Sequence, residues 1–158
     1  MPEVLEIERA SFEFPWDEEE FLCCLRQINC TGMVAEEGRI GGDVVGFMIY
    51  ERYKGKLRVV NFAVHPKYRS QGHGRAMAER LIDKLSQQRR KEIVLEVRET
   101  NLPAQCFWRA MGFRYQCTLR NHYEDTVEDA YVMAYRLGAE PPPRFNPKHR
   151  FKHLMEGK

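Results

Sequence analysis

The longest apolar run in this sequence is the seven residues 44–50, far short of the roughly 18 that a bilayer-crossing helix needs. A helical membrane span is therefore excluded. A secretory signal is missing too: Glu3, Glu6, Glu8, Glu13, Asp17, Glu18, Glu19 and Glu20 stand against the single base Arg9, where such a signal needs a basic start and an apolar centre. The expected compartment is the cytosol. Cysteine is sparse and odd in number, and Cys23, Cys24, Cys30, Cys106 and Cys117 show none of the paired spacings of zinc sites or redox motifs. Free, buried thiols are the expectation, with no metal. A strong net charge is also lacking. The formal value is +2, which removes the strongly basic signature of a nucleic-acid binder. The charge is unevenly spread, however: from residue 141 onward five Lys and Arg face only Glu156, a net +4 that leaves −2 for the rest.

The chain has 158 residues, of which 43% are hydrophobic and 30% charged, proportions that suit one packed domain. Val4, Leu5, Ile7 and Phe12 interleave with acids at helical spacing, and Phe14-Pro15-Trp16 interrupts them. Asp17 is placed to cap a second helix running to Leu25. Residues 33–36, 44–50 and 57–64 read as an antiparallel meander, turning at the 38–42 and 54–56 segments. Pro66 ends it. Ala78, Leu81, Ile82 and Leu85 form the stripe of an amphipathic helix, and Ile93, Leu95 and Val97 alternate as a strand. A short helix carrying Cys106, Phe107 and Met111 stops at Gly112, and residues 115–123 and 130–137 close the sequence as a hairpin. This order predicts a mixed, mostly antiparallel α/β sheet with at least one βαβ crossover, built by residues 1–138. Residues 139–158, basic and proline-bearing, are expected to form an extended tail outside the core.

The segment richest in chemistry is Arg69-Ser70-Gln71-Gly72-His73-Gly74-Arg75, between a strand and a helix. Glycine lets backbone approach a ligand closely, and free N–H groups at a helix start suit phosphate oxygens. Spacing alone leaves a structural glycine turn equally open. A dinucleotide fingerprint does not fit, because Met77 occupies the place of its last glycine. A nucleotide-kinase loop lacks its Lys-Ser/Thr ending.

Taken with Asn61-Phe62-Ala63-Val64-His65-Pro66 and Tyr68, this segment resembles the acetyl-coenzyme A site of the GNAT superfamily, matching its R/Q-x-x-G-x-G/A pattern in full. Leu95-Glu96-Val97-Arg98, Asn101, Gly112-Phe113, Arg120-Asn121-His122-Tyr123, Ile7-Glu8-Arg9-Ala10-Ser11-Phe12 and Pro15-Trp16 are similar to the bacterial ribosomal-protein alanine N-acetyltransferases. The resemblance implies a GNAT fold and acetyl transfer from acetyl-coenzyme A to an amine, foremost a protein N-terminus, with a ribosomal protein as acceptor. Lysine or small-amine acetylation is the neighbouring alternative. It implies further that Phe62, Ala63 and Val64 pair with the pantetheine arm, that Ser70 to Arg75 with Arg69 hold the pyrophosphate, and that Asn101 lies near the reactive end. Glu96 becomes the general base. An α-amine, with a pKa of about 7.7–8.0, asks little of such a base, whereas a lysine near 10.4 asks much more.

Two departures from the family stand out. Where its members carry a tyrosine that protonates the leaving thiolate, this chain has Trp108, whose indole is no practical proton donor. Tyr123, His122 and Tyr115 are substitute donors, with Tyr123 also suited to lining the peptide groove; a coenzyme-binding module without catalysis is the alternative that Trp108 raises. The family also begins with a strand before its first helix, and here that strand is missing from the expected elements. The acidic N-terminal stretch is expected to attract a basic peptide by electrostatic steering or to serve as a solvated helix face.

Overall fold

A computed structural model describes residues 1–38, 41–87 and 90–138; the expected tail lies outside these. Helix α1 (Pro2–Ser11) starts on a proline, whose missing N–H costs nothing in a first turn. Helix α2 (Glu18–Leu25) carries a full capping box: Asp17 accepts from the Glu20 N–H while the Glu20 carboxylate accepts from Asp17. Strands β1 (Cys30–Glu36), β2 (Val44–Arg52) and β3 (Lys56–Val64) form the antiparallel meander. A 3-10 turn at Pro66–Tyr68 and helix α3 (His73–Gln87) cross over to β4 (Glu92–Arg98), parallel to β3. Helix α4 (Leu102–Ala110) leads to the hairpin of β5 (Arg114–Tyr123) and β6 (Glu128–Arg136).

The six strands lie in the order β1-β2-β3-β4-β6-β5. No strand precedes α1 among the described residues, so β1 is an edge, its Val34 half exposed. No described helix is long and apolar enough to cross a membrane. One face of the sheet packs on α3 and α4 through Leu57, Val59, Met77, Leu81, Leu85, Leu95 and Trp108; the other packs on α1 and α2 through Ile7, Phe21, Phe47, Ile49 and Ala63. Each such aliphatic or aromatic side chain contributes about 1.5–3 kcal/mol on burial. Helix α4 ends as anticipated: Gly112 takes φ 96°, and the next N–H reaches back to the Trp108 carbonyl at 3.0 Å.

The cysteine reading needs correction. All five thiols are free, but only Cys24 and Cys30 are buried; Cys23, Cys106 and Cys117 are exposed. In α4 the inward stripe is Ala104, Phe107, Trp108 and Met111, a spacing of three, four and seven that turns Cys106 outward. Cys24 lies 3.4 Å from Cys30, and burial pushes its thiol up to about 12, an unreactive state.

Candidate active site

Strands β3 and β4 pair only from Lys56–Glu92 to Val59–Leu95, after which both continue without pairing to each other. The parting coincides with a bulge. Against β2, Val59 faces Tyr50 and Asn61 faces Ile49, so Val60 is the extra residue. The insertion reverses the alternation of β3: Leu57 and Val59 join the α3 core, whereas Asn61 is buried on the α1 side and Ala63 joins that core. Beyond the bulge opens a cleft of about 620 Å³, lined by Phe62, Ala63 and Val64 from β3, by Arg69, Ser70, Gly72, Gly74 and Arg75, and by Asn101, Pro103, Ala104, Phe107 and Trp108 at α4.

The loop at one end of this cleft is shaped for an anion. Ser70 (φ 62°) and Gly72 (φ 93°) both take left-handed backbone, and the first α3 hydrogen bond runs from the Ala76 N–H to the Gly72 carbonyl at 2.9 Å. The preceding N–H groups of the first turn are therefore left over for a ligand. Arg69 is spent on fixing the loop: its Nε donates to the Val64 carbonyl (3.0 Å) and its Nη2 to Ser11 Oγ (3.2 Å). Gln71 does the same through its amide, which donates to the Lys67 carbonyl at 3.0 Å. Neither Gln71 nor His73 lines the cleft; the His73 ring meets Tyr68 edge-on at 6.4 Å. The side chains of these two therefore turn away from the cleft, and only their backbone lies in the loop. Asn101 caps α4, its Oδ1 accepting from the Ala104 N–H at 3.2 Å, which leaves its amide NH2 end for a ligand.

The floor of the cleft is aromatic. Phe62 stacks on Phe107 at 5.6 Å and lies 5.1 Å from Trp108. Trp108 is only 3% exposed and also packs edge-on against Phe107 and Phe113, each at 4.9 Å, so it belongs to the core and the cleft wall at once. A Cβ at Gly74 would meet Phe62, Phe107 and Val64 at 3.4–3.5 Å, and one at Gly72 would meet nothing within 4 Å. The two glycines thus serve different ends, space at Gly74 and backbone conformation at Gly72. Gly74→Ala should be tolerated, whereas Gly72→Val and Gly74→Val should each weaken coenzyme A binding by more than about tenfold, the former because a β-branched residue strains at positive φ. Calorimetry on folded variants checks this; unchanged affinity in both valine variants would show that the loop does not carry the ligand.

Glu96 stands one residue past the last β3–β4 pair, on the face of β4 opposite Leu95 and Val97. Both its oxygens accept from Arg58 Nη2 at 3.2 Å, and Oε2 lies 2.8 Å from His122 Nε2. Arg58 also meets Glu51 at 3.5 Å, which accepts from the Tyr53 hydroxyl at 2.7 Å. Burial works against the Arg58 cation, yet Glu96 and Glu51 outweigh it and hold the guanidinium protonated. Tyr123 lies under the Arg98 guanidinium at 3.9 Å and edge-on to His122 at 5.1 Å. Burial first, then the Glu96 charge, raise its phenol above the ordinary value. Neither Glu96 nor Tyr123 is among the residues lining the cleft; Glu96 lies on the face of β4 opposite Leu95 and Val97, and Tyr123 packs beside its partner His122.

Sequence reasoning missed Arg58, the Glu96–His122 contact, and Ser11 and Phe12 in the cleft wall. It also placed Glu8 among surface acids. Glu8 is 1% exposed, and its carboxylate accepts from the Trp16 N–H at 2.9 Å and from Asn61 Nδ2 at 3.1 and 3.2 Å. A signal existed: Glu8 falls four residues after Val4, on the apolar stripe of α1.

The model of the acetyltransferase (GNAT) family matches residues 1–113. The chain belongs to this family. It is 32% identical over 136 residues to the ribosomal protein bS18-alanine N-acetyltransferase of Escherichia coli (strain K12), covering 85% of this chain and 89% of that protein. An N-alpha-acetyltransferase of Sulfurisphaera tokodaii is 29% identical over 148 residues, covering 85% and 86%. Among solved structures, the ribosomal-protein-S18-alanine N-acetyltransferase from Escherichia coli matches with a TM-score of 0.75 at 29% identity over 92% of both chains. Ard1 from Thermoplasma volcanium matches with 0.77 at 28% identity, over 86% of this chain and 90% of that one. This GNAT chain is thus an acetyl-coenzyme A-dependent acetyltransferase. The cleft fits that co-substrate: one end offers free N–H groups to a pyrophosphate, and the aromatic floor accepts a slender apolar arm. Among the described residues, no group of three or more His, Cys, Asp or Glu is placed to hold a metal ion.

Proposed function

We propose that the protein acetylates the N-terminal α-amine of a protein, with a ribosomal protein as acceptor and hence with the cytosol as its place of work. The observation that carries this reading is the position of Glu96 one residue past the point where β3 and β4 part and the cleft opens, its carboxylate held by Arg58 and His122. The relatives named as N-terminal acetyltransferases support the acceptor class. In this reading the first-turn N–H groups of α3 and Arg75 hold the pyrophosphate, the β3 edge from Phe62 to Val64 aligns the pantetheine arm, and the NH2 end of Asn101 steadies its reactive end. When bound, acetyl-coenzyme A supplies an activated acyl thioester. Glu96 takes the proton from the acceptor ammonium, and the freed amine attacks the thioester carbonyl directly. An α-amine is already partly neutral near pH 7, so a carboxylate held by Arg58 is a sufficient base where a lysine acceptor would not be served.

The test is a set of peptides beginning with alanine, each with one internal lysine and with either a free or a blocked N-terminus. Mass spectrometry should place one acetyl group on the α-amine of the free peptides and none on the blocked ones. Acetylation at lysine, or none at all, overturns the reading.

Trp108 gives a separate prediction. The indole can donate a hydrogen bond to the departing sulfur but no proton, so Trp108→Tyr should speed turnover, by no more than the roughly 10²–10⁴ that a general acid supplies. The smaller ring leaves part of a well-packed site empty, costing about 1–3 kcal/mol of stability. Equal turnover in a folded variant that binds coenzyme A normally would show that the thiolate leaves unaided. Tyr123→Phe completes a double-mutant cycle, since a donor role for Tyr123 would couple the two sites.

A further inference from the structure

We propose that His122 is the proton-transfer partner of Glu96: the carboxylate receives the proton shed by the acceptor amine and passes it to His122 Nε2, and the ring releases it to solvent. This rests on the acetyl-transfer reading above. The contact of 2.8 Å between His122 Nε2 and Glu96 Oε2 is the shortest that this carboxylate makes, against 3.2 Å to Arg58. The His122 side chain is 34% exposed, so it touches both the buried end of the site and water.

That contact needs an explanation, because β6 lies between β5 and β4 in the sheet. A bulge supplies it. Leu119 pairs with Ala130 and Tyr123 with Glu128, so Arg120, Asn121 and His122 together oppose the single residue Asp129. Asn121 turns the strand with φ 48°, a conformation that asparagine tolerates better than most residues. The buried Asp129 carboxylate locks the turn, accepting from the Asn121 N–H at 2.9 Å and pairing with Arg120, while the Asp129 N–H donates to Glu99 at 3.2 Å. The donated bonds hold the Asp129 carboxyl below its ordinary range. Tyr123, pinned under Arg98, walls the imidazole from the other side.

The charged groups around the ring carry a net negative formal charge. From β2 and β4, Glu51 and Glu96 bring two negative charges, and Arg58 on β3 brings one positive. Arg98 is already engaged by Asp125 and Glu128 of the hairpin. One proton on His122 neutralises the Glu51-Arg58-Glu96 group. Imidazole is the side chain suited to accept and release a proton near neutral pH. With the ring starting as its Nδ1–H tautomer, the exchange balances: an N–H bond of the ammonium breaks, an O–H bond at Glu96 forms and breaks, Nε2–H forms, Nδ1–H is lost to water, and exchange of both ring protons with water restores the starting tautomer. Nothing is oxidised or reduced.

Single-turnover rates of the full chain on an alanine-starting peptide, from about pH 6 to pH 9, test this. His122→Gln keeps an amide to hydrogen-bond Glu96 but carries no proton. It should be roughly ten- to a hundredfold slower with KM for both substrates nearly unchanged. Imidazole added to His122→Ala should restore part of the rate in proportion to its unprotonated fraction, which a merely structural histidine would not show. An active wild type with equally fast His122→Gln across the range overturns this proposal alone, as does a slow His122→Ala that ignores imidazole. An inert wild type overturns the acetyl-transfer reading and this proposal together.

Discussion

Glu96→Gln is expected to lower turnover by about 10²–10⁴ while leaving acetyl-coenzyme A affinity and melting temperature as they are. Glutamine has the same shape, so its carbonyl still accepts from Arg58 and the place of the side chain beside His122 stays filled. What it loses is the capacity to take a proton. The deficit should be largest at low pH, where a greater fraction of the α-amine acceptor is protonated and needs a base, and should shrink toward pH values above the amine pKa of about 7.7–8.0. Pre-steady-state rates across pH, with coenzyme A affinity measured in parallel, check both statements. Equal rates for variant and wild type at every pH would remove Glu96 from the reaction.

The largest effect on stability is expected at Glu8. Glu8→Ala leaves the Trp16 N–H and the Asn61 amide without their acceptor inside the α1 face of the core. Hydrogen bonds to a buried charge that vanish in this way cost about 3 kcal/mol together, or about 6–12 °C in melting temperature for a domain of this size. The turn through Phe14, Pro15 and Trp16 should loosen as well, because the Trp16 N–H is one of its anchors to α1. The pH dependence follows from the direction of the shift. Burial, partly opposed by the bonds from Trp16 and Asn61, raises the Glu8 carboxyl above its ordinary value of 4.5. The native state therefore holds a proton that the unfolded chain has released, and the Glu8 contribution to stability falls as pH climbs from about 4.5 through the raised native value. Glu8→Gln should remove this fall, so that its stability rises more steeply with pH than that of the wild type over that window. Thermal melts from pH 4 to pH 7 would show it, and a wild type whose stability rises as steeply as that of the glutamine variant would contradict the sign.

Much of the architecture was readable in advance because its causes are local. The capping box at Asp17 and Glu20, the inward stripe of α3, the alternation of Ile93, Leu95 and Val97 and the glycine stop at Gly112 each depend on residues within a few positions of one another. The anion loop was legible for the same reason, since glycine spacing at a helix start acts within a single turn. Its family resemblance was borne out, and so was the mixed sheet with a βαβ crossover.

What the sequence by itself determined, then, is the elements, their order, and the glycine loop at the start of α3. Tertiary structure alone decided the rest of the site. Arg58 and Glu96 are 38 residues apart, and Glu8 and Asn61 are 53 apart, so no periodicity could link them. The bulges at Val60 and at residues 120–122 arise from strand register, a property of two strands at once. Register set which face Asn61 joins, where β3 and β4 part, and that a histidine from β5 reaches past β6 to a carboxylate on β4. Local propensity is blind to such choices, because each is settled by which distant groups must share a core or satisfy one another's hydrogen bonds once the chain has closed.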